Sequence, residues 1–225
     1  IQSMAIIGLA AGTAARQATA VYGEDLLIDG YELDEKIVEV GYKYFGLDLP
    51  NLNVGIGDGR LTLDRSEQKY DIIAIDAYRP PYIPPHMTTI EFFEICASHL
   101  ADNGVLTLNV GSTPGDRRLV DGLATTMSQL FPSIHIMDIP GTLNTMIFAT
   151  KQPTTADNFS ANMLRLAQDT TLDPLLVTTM TTTYANLTPG YETSTVFTDD
   201  LAPIEWIVND MVFNFVLQGG LEFLQ

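Results

Sequence analysis

The chain reads as an α/β protein with a doubly wound, mostly parallel sheet of seven strands that ends in an antiparallel hairpin. Three observations carry that expectation. Short apolar runs alternate with stretches of helical periodicity along residues 4–151. Such alternation predicts parallel strands covered on both faces. Glycine or a carboxylate closes most of the apolar runs, which is where open sheets of this kind place their ligands. The last two runs, Ile134–Ile139 and Thr145–Ala149, flank Pro140-Gly141 and read as a hairpin.

The elements follow in order. Met4–Leu9 is an apolar strand stopped by Gly8 and Gly12, and an alanine-rich helix follows. Leu26–Glu32 is the second strand. Asp34–Phe45 carries helical spacing (Ile37, Val38, Gly41, Tyr44, Phe45) behind an acidic first turn that suits the helix dipole. Asn53–Ile56 is a short strand leading into the turn Gly57-Asp58-Gly59. Tyr70–Ile75 is an apolar strand ending at Asp76, and a proline-rich loop runs from Arg79 to Pro85. Thr88–Leu100 reads as a helix stopped by Asp102-Asn103-Gly104. Val105–Val110 is a strand and Asp116–Phe131 a helix. A parallel sheet with one antiparallel strand at its end is the Rossmann-like pattern of methyltransferases that use S-adenosylmethionine. Residues 1–151 form that unit. Residues 152–225 are expected to be a helical, threonine-rich extension packed on the same domain: a helix at Asn158–Asp169, a surface excursion or lid over Thr170–Thr198, and a last helix, Ile204–Leu217, opened by Pro203.

Composition excludes several function classes. The 225 residues carry 28 acidic against 11 basic side chains, a net charge of −17. That excess repels phosphate backbones and anionic headgroups, so no nucleic-acid partner is expected. An acidic mouth instead attracts cations such as amines. The single cysteine, Cys96, permits no disulfide within the chain and reads as part of a packed helix face. His86, His99 and His135 lack metal-ligand spacing, so no metal site is expected. With no signal peptide or membrane-spanning run, the setting reads as cytoplasmic. The first strand begins within four residues of Ile1, as in a domain cut from a longer protein.

Four features at strand ends carry chemistry. The first is the bend Gly8-Leu9-Ala10-Ala11-Gly12-Thr13. A glycine turn between strand and helix lets the backbone approach a ligand and points helix amides at it. An ordinary strand-to-helix turn would read the same, and Ala10 stands where a dinucleotide fingerprint has glycine. The second is Glu32, 20 residues beyond Gly12 at the end of the second strand. Its two oxygens suit both hydroxyls of a ribose, and Asp34 suits a helix cap. The third is Asp58, which can accept from an adenine amino group while the Gly59 backbone approaches the ring; an ordinary Asp-Gly turn is the plain alternative. The fourth is Asp76. A carboxylate at a buried strand tip can take a proton from an attacking amine or hold it in line, or simply cap its loop. Tyr78, Arg79 and Tyr82 form the substrate loop over the site, where the tyrosines either wall a pocket or pack the loop.

The order of these pieces resembles the spermidine/spermine synthase family. The resemblance rests on Ile6–Thr13, Tyr31-Glu32-Leu33-Asp34, Gly57-Asp58-Gly59, Tyr70–Asp76 and Asp102–Leu106. The segments Ile83–Phe92 and Thr198–Glu205 are similar to a bacterial branch whose domain is often attached to a membrane-spanning region. The resemblance implies transfer of an aminopropyl group from decarboxylated S-adenosylmethionine to a small amine. Glu32 would then hold the ribose, Asp58 the adenine and Asp76 the amine, and a membrane domain upstream and a homo-oligomer are compatible with it. The chain also departs from the family. Ala11 stands where the family has an acidic residue for the donor's amine, and Arg79 replaces a second aspartate. The hairpin turn lacks a polyamine-contacting tyrosine, and the small N-terminal β domain is not in the sequence. Three readings stay open: aminopropyl transfer, methyl transfer from S-adenosylmethionine (favoured by Ala11 and Arg79), and non-catalytic adenosyl binding. A nicotinamide dehydrogenase fits poorly, because Asp58 and Asp76 would have no task.

Overall fold

The computed structural model describes residues 1–78, 82–169, 172 and 174–220. Alternating burial along the first strand shows how the layers form. In β1 (Ser3–Ile7), Met4 and Ile6 face one side of the sheet with Leu26, Val38 and Leu47, while Ala5 and Ile7 face the other with Ile73, Phe92 and Leu106. Successive strand residues point to opposite faces, so one strand feeds two cores. The first core lies under α1 (Thr13–Tyr22) and α2 (Glu35–Tyr44). The second, larger core lies under α4 (Ile90–His99), α5 (Arg118–Ser128) and α8 (Ile204–Leu217).

The strand order is β3-β2-β1-β4-β5-β7-β6-β8. The five strands β1, β2 (Leu27–Glu32), β3 (Leu52–Ile56), β4 (Tyr70–Ile75) and β5 (Leu100–Gly111) run parallel. β7 (Asn144–Thr150) inserts antiparallel between β5 and β6 (Ser133–Asp138). The expected doubly wound sheet and closing hairpin are therefore present.

The structure corrects four details. The sheet has eight strands rather than seven, because Leu187–Thr188 adds a two-residue edge, β8, to β6. The turn after β3 continues into a helix, α3 (Gly59–Asp64). Helix α4 stops at His99, and Asp102-Asn103-Gly104 lies inside β5, where the pairing shifts register between Tyr70 and Ile72. The threonine-rich stretch contains a helix, α7 (Pro174–Ala185), behind α6 (Ala156–Leu166). In α7 the hydroxyls of Thr178, Thr181, Thr182 and Thr183 each donate to the carbonyl four residues earlier, satisfying themselves inside the helix.

The last segment is pinned to the sheet layer. Phe197 is fully buried and seats over Gly122, where a Cβ would lie 2.3 Å from its ring. Its backbone N–H donates to Thr126 Oγ1 (2.9 Å). Asp199 takes both terminal nitrogens of Arg60 at 2.7 Å and the Thr89 hydroxyl at 2.7 Å. Among the described residues no helix is long and apolar enough to cross a membrane.

Candidate active site at the strand ends

Register brings the strand-end residues into one row. Ile7 pairs with Tyr31 and with Ile75, Ile75 pairs with Leu108, and Glu32 pairs with Ile56. The residues at or just beyond that row are Gly8, Glu32, Asp76 and Asn109, with Asp58 two positions past Ile56. A single rim thus gathers the Gly8 bend and four side chains from the ends of five parallel strands.

The glycine bend is built as tightly as its sequence requires. Gly8, Ala10 and Gly12 all take positive φ (88°, 49° and 80°). A Cβ on Gly8 would lie 2.4 Å from the Asp76 carbonyl oxygen, so the bend and the end of β4 touch through backbone. Ala10 is the one non-glycine among the described residues with positive φ, a conformation that costs about 1–2 kcal/mol for an L-residue. The Ala10 backbone N–H donates to Glu32 Oε2 at 2.9 Å, which holds that conformation. The other Glu32 oxygen accepts from the Asp34 N–H at 3.1 Å. Glu32 is 9% exposed, so the carboxylate is fixed in place. Each of its oxygens keeps accepting capacity for a hydroxyl.

The bend does not offer a free row of amides. The N–H groups of Gly8 and Leu9 both donate to the Tyr31 carbonyl, and that of Gly12 to Leu9. The backbone brings Glu32 to the rim instead of presenting several bare donors.

Asp34 caps α2 through Lys36 N–H, as expected. Asp58 caps α3 in the same way, accepting from Leu61 N–H at 3.0 Å. Its second oxygen lies 2.8 Å from His86 Nε2. Partial burial works against its ionised form, but the Leu61 amide and His86 outweigh it and hold the carboxyl below the usual range. Gly59 packs where a Cβ would meet Ile7 at 2.5 Å, so it lets α3 sit against β1.

Asp76 is exposed at the rim. One oxygen accepts from Asn109 Nδ2 at 3.0 Å, and among the described residues its other oxygen has no partner. The sequence places Asn109 in the strand-end stretch Asn109–Gly115 without giving it a role, and in the structure it lies two residues before the end of β5. Its Oδ1 is buried and unpartnered. Tyr78 is half-buried and donates to the Asn109 carbonyl at 3.0 Å, and burial pushes its hydroxyl far above the usual tyrosine range. Tyr82 donates to Asn209 Oδ1 at 2.6 Å, tying the loop to α8. Arg79 lies outside the described residues. Cys96 is buried in the larger core with its thiol pushed up by burial, a packing role. His86 had no sequence signal, since its partner Asp58 lies 28 positions away.

Residues 7–162 match the spermine/spermidine synthase domain. The chain belongs to the spermine/spermidine synthase family. A probable polyamine aminopropyl transferase of Bifidobacterium longum is 30% identical over 218 residues, which is 90% of this chain and 48% of that protein. The chain thus spans about half the length of that relative. Among solved structures, a probable spermidine synthase of Corynebacterium glutamicum superposes with a TM-score of 0.63 at 20% identity, covering 86% of this chain and 72% of that one. Human methyltransferase-like protein 13, solved with SAH, superposes with a TM-score of 0.62 at 23% identity, covering 89% of each chain. Both likenesses show the fold, and a fold alone does not choose a reaction.

Proposed function

We propose that this chain is the transferase part of an aminopropyltransferase, taking decarboxylated S-adenosylmethionine as donor and a small amine as acceptor. The observation that carries the reading is Asp76: a strand-tip carboxylate with one oxygen fixed by Asn109 and the other without a partner among the described residues, on the same rim as the Glu32-held bend. Family membership and the acidic net charge support it, since donor and acceptor are both cations.

Each residue then has a physical task. Glu32 accepts the ribose hydroxyls. Asp58 keeps spare lone-pair capacity beside the His86 contact and accepts from the adenine amino group. Asp76 orients the acceptor nitrogen and takes its proton, because an ammonium has no lone pair with which to attack. Asn109 holds the Asp76 carboxylate in direction through its Nδ2. The nitrogen lone pair forms a bond to the aminopropyl carbon attached to sulfur. The carbon–sulfur bond breaks, its electrons neutralise the sulfonium, and methylthioadenosine leaves.

Methyl transfer from S-adenosylmethionine is the second reading. Ala11 favours it, because no carboxylate occupies that place in the bend to hold the donor's amine.

The test is methylthioadenosine release with the decarboxylated donor and putrescine, in wild type and Asp76→Asn. Loss of a positioned base predicts a fall in kcat of about 10²- to 10⁴-fold with the fold intact. Undiminished release would reject Asp76 as the amine-positioning group. Release of S-adenosylhomocysteine from the intact donor, with none from the decarboxylated one, would choose methyl transfer.

A further inference from the structure

Two stretches of the sequence, residues 83–92 and 198–205, have no task in the transfer step, yet they meet at one side chain. Arg60, two residues past Asp58, sends Nη1 to the His86 carbonyl at 2.8 Å. The same guanidinium grips both oxygens of Asp199 at 2.7 Å. Asp199 also accepts from the Thr89 hydroxyl at 2.7 Å, and its N–H donates to Glu91 Oε2 at 3.0 Å. The Ile90 N–H donates to the Phe197 carbonyl at 2.9 Å. The segment around Asp199 is thereby clasped to α3 and to the start of α4.

The clasp fixes the backbone that carries His86. That residue is the middle of a single helical turn, Pro85–Met87, entered through Pro84 and Pro85, whose rings set φ. Ile83 before it and Met87 after it are buried in the larger core. The Thr88 hydroxyl closes the turn by donating to the Pro85 carbonyl at 2.6 Å. The chain is thus anchored on both sides of His86, while the imidazole itself stays exposed.

The imidazole is aimed at Asp58, with Nε2 2.8 Å from Oδ2. Partial burial works against an ionised Asp58, but the Leu61 amide and His86 outweigh it. An ionised carboxylate only accepts, so Nε2 carries the proton and donates. Leu61 N–H holds the other oxygen at 3.0 Å. Donors on both oxygens fix the plane of the carboxylate. Each oxygen keeps a second lone pair, and the Asp58 side chain remains 34% exposed, so a ligand can still reach it. A helix cap needs one oxygen only; the His86 contact adds direction to the second.

We propose that His86 is a positioning residue for the donor's base: it holds Asp58 in the orientation that accepts from an exocyclic amino group and turns away a carbonyl oxygen at the same place. A fixed carboxylate offers lone pairs alone, so an oxopurine loses the hydrogen bond and faces it with a second acceptor. The proposal rests on the reading of Asp58 as the adenine acceptor and needs neither the aminopropyl step nor an amine.

Calorimetry with methylthioadenosine and methylthioinosine, whose bases differ in that amino and oxo group, tests it. The wild type is expected to favour methylthioadenosine about tenfold or more, the worth of one hydrogen bond to a charged group. His86→Ala should cut that preference to about threefold or less, as the bond loses its alignment. His86→Gln, which returns an N–H donor at similar reach, should restore it. The preference is a ratio measured on one sample, so an unfolded fraction cancels. Full preference in His86→Ala, or an equal loss in His86→Gln, would overturn the proposal and leave the transferase reading standing. A wild type without preference would overturn it whatever the variants do. A preference lost in His86→Ala and kept in His86→Gln, with no methylthioadenosine release in the transfer assay, would uphold it while rejecting the transferase reading.

Discussion

Asp58 illustrates how one carboxylate carries two structural duties at a functional rim. Its first oxygen caps α3 and its second meets His86. The two duties separate by substitution. Asparagine is as good a cap as aspartate, so Asp58→Asn should leave stability within about 0.5 kcal/mol, whereas Asp58→Ala should cost about 1 kcal/mol. Denaturant unfolding of both variants checks this; equal losses would place the stabilising contribution in the His86 pair instead of the cap. Asp76 and Asn109 form a comparable pair with the opposite economy. Their mutual bond leaves one oxygen on each without a partner among the described residues, that of Asn109 buried. Glu32, by contrast, has an internal amide on each oxygen, and those amides fix its direction.

Elements with a single dominant signal were legible in the sequence. β4 and α8 coincide with their expected limits, because an uninterrupted apolar run and a proline at the helix start leave little ambiguity. Elements in which two signals compete were not. Asp102-Asn103-Gly104 has turn chemistry, yet β5 runs on through it as an irregularity, the partners of β4 jumping from Leu100 to Val105. Threonine disfavours helix through its hydroxyl's competition for backbone groups, and α7 turns that competition inward along its own carbonyls. α3 is six residues long, too short to show a period, and only its Asp58 cap announced it. The rim was legible for the same reason as the strands: Glu32, Asp58 and Asp76 each end or follow an apolar run. Asn109 stands at the start of the strand-end stretch Asn109–Gly115, but β5 runs on to Gly111, and only the fold shows that its amide meets Asp76.

Phe197 and the buried face of α8 pack into the larger core of the sheet. Arg60 and Thr89 hold Asp199 across the chain, and the Arg60 guanidinium draws that carboxyl down to about 2. A carboxyl depressed in the folded state adds stability above its unfolded value, near 4, and loses it as pH falls toward the folded value. Asp199→Asn should therefore flatten the decline in unfolding free energy between about pH 4 and pH 2. Because the pair is partly exposed, its cost at neutral pH should stay below about 1 kcal/mol. Unfolding measured across that window checks it, and parallel curves for the two proteins would contradict it. The whole account depends on β1, β2, β3, β4 and β5 delivering their ends to one nucleoside-binding rim. Titration calorimetry with methylthioadenosine, on wild type and Glu32→Gln, tests that most directly. One saturable site in the wild type, weakened about tenfold or more in a variant that melts normally, is the result expected. Absence of binding by the wild type, or equal affinity in the two proteins, would contradict the account.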